Sequence, residues 1–147
     1  MKVQKIVEEA ADTLRGLELL AQVPVIEEDK GNVATELETA IGKASLCVVV
    51  GWNGFKPRIV GETAPGETPF GDITVVVSVF ERPVVNRRNA AAPRLLDIAQ
   101  ETAKTLDDAS AEGMDDAMHL ERISPVTGIG GGDVVMCTVE FRTAGTL

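Results

Sequence analysis

Val3, Ile6, Val7, Ala10, Leu14 and Leu17 recur at spacings of three, four and seven. That is the period of a helix with one buried face, so the chain opens with a predicted amphipathic helix running to about Leu20. Gln22 to Ile26 reads as a short extended piece, where Pro24 suits an edge position or the start of a strand. Val33, Leu37, Ala40 and Ile41 share one side of a shorter second helix, which Asn32 or the Thr35-x-x-Glu38 box would cap and Gly42 would close. Leu46 to Val50 is continuously apolar and rich in valine, hence strand material. It leads into Gly51-Trp52-Asn53-Gly54-Phe55, where Asn-Gly signals a turn or a bulge.

Pro57 to Gly71 breaks the pattern with repeated proline and glycine (Pro57, Gly61, Pro65, Gly66, Pro69, Gly71), predicting a long loop over about 57–71. A loop of that length is either a disordered surface segment or an arm that orders against a neighbour. Asp72 to Phe80 is predicted as a central strand, with Ile73, Val75, Val77 and Val79 on one face and Thr74, Val76, Ser78 and Phe80 on the other. Beyond Glu81-Arg82-Pro83, Pro93 sits where the first turn of a helix tolerates it. Leu95, Ala99, Ala103 and Leu106 give that helix its stripe, widened by Leu96 and Ile98. Met118 to Val126 and Asp133 to Arg142 then read as a β-hairpin across a glycine-rich connection, with Val135, Cys137, Val139 and Phe141 on one face of the second strand. The order predicts an α+β fold: one domain over 1–147, a mostly antiparallel β-sheet with α-helices packed on one side.

Composition narrows the setting. A chain of 147 residues, 44% hydrophobic and 25% charged, can bury a core without disulfide or metal staples. No stretch approaches the roughly 20 apolar residues that cross a bilayer, and the charged amphipathic start does not read as a signal peptide. Membrane and secreted settings are therefore not expected. A net charge of −9 disfavours a general or sequence-specific nucleic-acid surface. The charge is unevenly spread. Arg82 to Arg94 holds four arginines (Arg82, Arg87, Arg88, Arg94) and no acid, whereas Glu101 to Glu121 holds seven acids and one lysine, Lys104. The two runs are either solvated faces or the two halves of a head-to-tail contact between copies.

Catalytic chemistry is sparsely supplied, with one histidine and no tyrosine. His119 lies in an alternating segment as an ordinary strand residue. Cys47 and Cys137, each inside an apolar run and with no CxxC spacing, are expected to be buried structural thiols. The acidic groups Glu27-Glu28-Asp29, Asp107-Asp108 and Asp115-Asp116 lack EF-hand spacing and read as solvated turns and helix ends. Gly128 to Gly132 precedes a strand rather than a helix, which leaves no helix N-terminus for a phosphate, so it reads as a hairpin connection. No catalytic residue, cofactor or metal is expected.

An amphipathic N-terminal helix, the Val-Pro-Val-Ile segment, the strand and turn Val77-Ser-Val-Phe-Glu-Arg-Pro-Val-Val-Asn86-Arg87, the helix after it and a closing hairpin occur in one order. Over about Lys2 to Arg142 this arrangement resembles the tail terminator (tail completion) proteins of long-tailed bacteriophages and prophages. The resemblance implies a structural virion protein of the tail, assembled in the bacterial cytoplasm. Such a protein forms a homohexameric ring on the end of the tail tube, ends its polymerisation and joins it to the head connector. Its implied partners are further copies of itself, the tail tube protein and the head-tail connector protein. Candidate subunit or partner contacts are Arg82, Asn86, Arg87 and Arg88 in the basic turn, and Glu62, Glu67 and Phe70 in or beside the long loop. Six copies would carry a charge of −54, six times −9, and an acidic inner wall would let DNA pass without sticking.

Two other classes fit the same residues. One is a small adaptor or assembly chaperone of a phage-like apparatus. The other is a small-ligand or enzymatic domain in which Glu81 or Glu140 would work with Arg82 or Arg142 in a pocket.

Overall fold

The predicted opening helix forms, but in two pieces. Helix α1 (Val3–Arg15) buries Ile6, Val7, Ala10, Ala11 and Leu14, and a 3₁₀ turn over Glu18–Leu20 follows. Between them the Gly16 N–H donates to Asp12 O at 3.2 Å, so the chain turns at the residue that holds a helix least well. The computed structural model describes residues 3–28, 33–58, 69–88, 92–110, 116–130 and 133–146.

Strand β1 (Val25–Glu27) follows, then α2 (Val33–Ala44). Asn32, the expected cap, lies outside the described residues. Gly42 does not close the helix: it sits on the exposed side, and α2 continues to Ala44. The stop is Ser45, whose φ of 62° is left-handed and turns Leu46 into the sheet.

Strand β2 (Leu46–Pro57) and strand β3 (Phe70–Glu81) form an antiparallel pair. Asn53-Gly54 makes a bulge between Trp52 and Phe55 rather than a turn, with Gly54 at φ 94°, a backbone conformation that glycine adopts freely. The strands also reach into both ends of the predicted loop: Pro57 pairs with Gly71, and the Arg58 N–H donates to Phe70 O at 2.9 Å. The middle of that loop, 59–68, lies outside the described residues.

After β3 comes a four-residue helix that the pattern did not predict, α3 (Pro83–Asn86), with Pro83 in its first turn. Helix α4 (Leu95–Leu106) then buries Leu95, Ile98, Ala99, Thr102, Ala103 and Leu106. Leu96 does not widen the stripe; it is 51% exposed. The first strand of the predicted hairpin is split into β4 (His119–Ile123) and β5 (Thr127–Ile129). Between them Ser124 substitutes for ladder residues, its N–H donating to Thr138 O at 2.9 Å and its Oγ accepting from Thr138 N–H at 2.8 Å. Pro125 has no N–H to continue the pairing. Both strands pair with β6 (Val134–Thr146), which runs past Arg142 to reach the start of β3.

The sheet order is β1-β2-β3-β6-β4, with β5 beside β4 on β6. Among the described residues only the β1–β2 pairing is parallel, as the β1-α2-β2 crossover requires. The fold is a single-domain α+β one with a mixed, mainly antiparallel sheet. The helices, however, lie on both faces of that sheet. Helices α1 and α4 pack on Val48, Val50, Ile73, Val75, Val77, Val79, Cys137, Val139 and Phe141. Helix α2 packs on the other side, against Ile26, Cys47, Val49 and Phe80. The reason is in β2, where Leu46 to Gly51 are buried on both faces, so a single layer of helices cannot remove its apolar surface from water. Among the described residues no helix is long and apolar enough to cross a membrane.

Candidate functional site

Glu81 organises the basic end of the molecule. It closes β3, is 4% exposed, and its Oε2 accepts from Asn86 Nδ2 at 2.8 Å, Arg94 Nε at 3.2 Å and the Leu95 N–H at 3.2 Å. The last contact makes Glu81 an acceptor at the start of α4 supplied from another element, with its negative group at the positive end of the helix. Asn86 Nδ2 also donates to Pro93 O at 3.0 Å. One carboxyl thus fixes the end of β3, the α3 turn and the first turn of α4 against each other.

The expected contact residues divide on this frame. Asn86 is buried at 4% exposure and serves as an internal strut rather than an accessible contact. Arg82 is half-buried and 3.6 Å from Asp133. Arg87 and Arg88 are exposed, and among the described residues neither has an ion-pair partner. Val84, three and four positions before them, is 68% exposed and shares their outward side of the turn. Phe70 lies at the opposite end of β3, eleven positions from Glu81, or roughly 36 Å along an extended strand. There the Arg58 guanidinium lies 5.5 Å from its ring centroid and pairs with Asp72. That hydrogen bond holds the Asp72 carboxyl below, and the Arg58 guanidinium above, their ordinary ranges. Glu62 and Glu67 lie outside the described residues. The basic turn and the root of the long loop are therefore separate places.

The acidic run gathers at the other end of α4. Asp107 caps that helix, and its Oδ1 accepts from the Leu120 N–H at 3.0 Å. Asp108 follows at φ 64°. His119 lies between carboxylates, with Nδ1 3.8 Å from Asp108 and Nε2 3.2 Å from Asp116. Ligand atoms of Asp107, Asp108 and His119 fall within 4.8 Å of one another, a grouping suited to a cation, although all are close to solvent. Negative groups at a helix C-terminus work against the macrodipole, so helix stability does not account for Asp107 and Asp108. Beside them, Leu120 and Ile123 on β4 pair with Phe141 and Val139, which places both on the α1/α4 side of the sheet. Each is 39% exposed. The sequence pattern gave no warning of these exposed apolar positions, because an edge strand alternates just as a covered one does.

Of the rival groups, Glu140 and Arg142 line one groove of about 480 Å³ together with Asp72 and Glu121, whereas Glu81 and Arg82 are not paired. Glu81 binds Arg94 rather than Arg82, and Arg142 binds Glu121 at 2.9 Å. A groove of about 550 Å³ between β1 and α2 contains Arg15, Glu27, Glu36 and Lys43, but Arg15 is occupied by Glu27, by Asp12 and by Val25 O, at 2.9, 2.9 and 2.8 Å. Cys47 and Cys137 are free thiols and buried, as expected. Burial, helped by Glu36, pushes the Cys47 thiol up to about 12, and burial raises Cys137 as well.

This is an α+β protein with a basic turn at one end of α4 and an acidic, partly apolar edge at the other. Its fold is similar to that of a chain from the virion of a native gene transfer agent (GTA) particle. The TM-score is 0.54 and the identity 14%, over 94% of this chain and 92% of that chain. At that identity the likeness is one of fold. No protein-family model matches the chain, and no curated protein matches it.

Proposed function

We propose that this protein is a structural component of a phage-like virion, and more finely a tail terminator. In this reading it forms a ring on the end of the tail tube, ends tube polymerisation, and offers a surface to the head-tail connector. The observation that carries the reading is the end-to-end fold likeness to a chain of a GTA virion, which agrees with the tail-terminator resemblance of the Val77–Arg87 segment. The surface supports it too. Chains in a closed ring contact each other head to tail, which calls for two different surfaces on each subunit, and this chain carries exposed arginines in the turn before α4 and acidic residues in the segment after it. The reading assigns no catalytic residue, cofactor or metal. The protein acts by binding its own copies and the tail tube protein, and it is assembled in the host cytoplasm into the tail.

Light scattering behind size exclusion, with negative-stain images of any large species and with tail tube protein added, tests this. Six-fold rings of about 94 kDa, six chains of 15.6 kDa, alone or capping tubes, are the expected result. A protein that neither forms rings nor binds tube ends, but binds a tail protein before assembly and is absent from finished particles, is instead the adaptor or chaperone.

A further inference from the structure

The two ends of α4 are complementary in more than charge. At one end the α3 turn presents exposed Val84 with Arg87 and Arg88 beside it. At the other, exposed Leu120 on β4 lies beside Asp107, whose Oδ1 accepts from its N–H, with Asp108 and Asp116 grouped about the neighbouring His119; exposed Ile123 follows three residues along the same strand, next to exposed Arg122. Each is an apolar centre with a charged rim, and the rims are of opposite sign, the composition of a small protein–protein contact. The twelve residues of α4 separate the two ends by about 18 Å, too far for the turn to reach the acidic edge of its own chain. Asn86 anchors the backbone of the turn to Glu81 and to Pro93 O, so its position against α4 is set before binding.

We infer that the acidic edge of β4 is the docking site for the α3 turn of a second copy of this chain. Val84 packs against Leu120 and Ile123, while Arg87 and Arg88 meet Asp107, Asp108 and Asp116. Two surfaces on one chain, used once each, give a heterologous contact that propagates from copy to copy and closes into a ring where the rotation allows. The inference deepens the ring reading by naming its subunit contact, and it relies on that reading only for closure.

The test is charge reversal in the full chain, read by sedimentation equilibrium up to millimolar protein at low and at molar salt. Wild type is expected to self-associate at low salt and to lose most of that association at molar salt. Arg87→Glu/Arg88→Glu is expected to weaken self-association roughly a hundredfold or more, because like charges then face each other, and Asp108→Lys/Asp116→Lys should do the same. A chain carrying all four substitutions has both rims reversed and regains association, as does an equimolar mixture of the two double variants. Thermal unfolding of each variant separates lost docking from lost folding, and the four-fold variant is the arbiter, since damage to the fold does not cancel. Wild type that stays monomeric throughout, or double variants that associate unchanged, overturns the contact. Failure of the ring reading looks different: if copies associate with this charge pattern but yield open chains and never cap tubes, the contact stands and the terminator role falls. Rings that form despite both reversals leave the role standing and remove the contact.

Discussion

Beneath α1 and α4, the inward side chains of the three long strands are sealed: Val48, Val50, Ile73, Val75, Val77, Val79, Cys137, Val139 and Phe141 are all 0% exposed. On the opposite face, Ala40 and Ile41 of α2 pack with Ile26, Cys47, Val49 and Phe80 in a smaller buried cluster, in which Ile26, Ile41, Val49 and Phe80 retain 8–9% exposure. Farther along that face Thr74, Val76, Ser78, Thr138 and Glu140 are half-buried, with no helix among the described residues above them. One face is a continuous core shared by three strands and two helices. The other is a local patch that closes the β1-α2-β2 crossover. Stability should therefore be concentrated on the first face, and α2 should be able to loosen while the rest of the sheet stays folded.

The largest effect is expected at Phe141, the bulkiest of the fully buried side chains. Phe141→Ala should cost about 3–5 kcal/mol and should shift the whole transition in a denaturant titration followed by Trp52 fluorescence and by circular dichroism. Ile41→Ala, on the α2 side, should cost about 2–3 kcal/mol. If the faces differ as described, the two probes will separate in this variant, because α2 melts ahead of the sheet. Coincident transitions would mean that α2 belongs to the main cooperative unit. Glu81→Gln acts at the polar rim of the deep face. It keeps the shape but weakens three hydrogen bonds, for an expected loss of about 1.5–2 kcal/mol. The amide protons of the α3 turn and of Leu95 should exchange faster while those of β3 and β6 hold.

Much of this contrast was legible in the chain. Ile73, Val75, Val77 and Val79 alternate as a half-covered strand must, and α1 shows its stripe at helical spacing, so the deep face could be read from period alone. The second face was written in Leu46 to Val50, where an uninterrupted apolar run means cover on both sides; treating it as ordinary strand material concealed the position of α2. Other features depend on partners distant in sequence. The role of Glu81 becomes visible only when Arg94 and Leu95 arrive thirteen and fourteen positions later. Ser45 ends α2 in a left-handed conformation that glycine at 42 seemed better suited to supply. The last residues of β6, Thr143 to Thr146, look like a polar tail until the start of β3 pairs with them. Of the residues in the proposed contact, Arg87 and Arg88 stand out in the sequence by charge. Val84, Leu120 and Ile123 do not, because the exposure of an apolar residue is a property of the assembled turn or sheet edge and not of the local pattern.

The finest comparison uses the two cysteines, one on each face and both at 0% exposure. Cys137 points into the deep core and Cys47 into the α2 patch. In the folded protein neither should react with a thiol reagent: burial holds Cys47 near 12 and Cys137 above its ordinary value, and the thiolate is the nucleophile. Labelling therefore reports opening rather than static access, and an opened segment returns each thiol toward its ordinary acidity in water. If α2 lifts without global unfolding, Cys47 opens at lower free energy than Cys137. A tenfold faster labelling of Cys47 corresponds to about 1.4 kcal/mol, and a difference of at least that order is expected by mass spectrometry of single-cysteine variants under native conditions. Urea below the unfolding midpoint should shrink the ratio toward one, because global unfolding, which exposes more surface, gains on local opening as denaturant is added. Equal rates at every urea concentration would make the two faces one unit, and the weaker burial beneath α2 would then be a matter of packing detail rather than of separate stability.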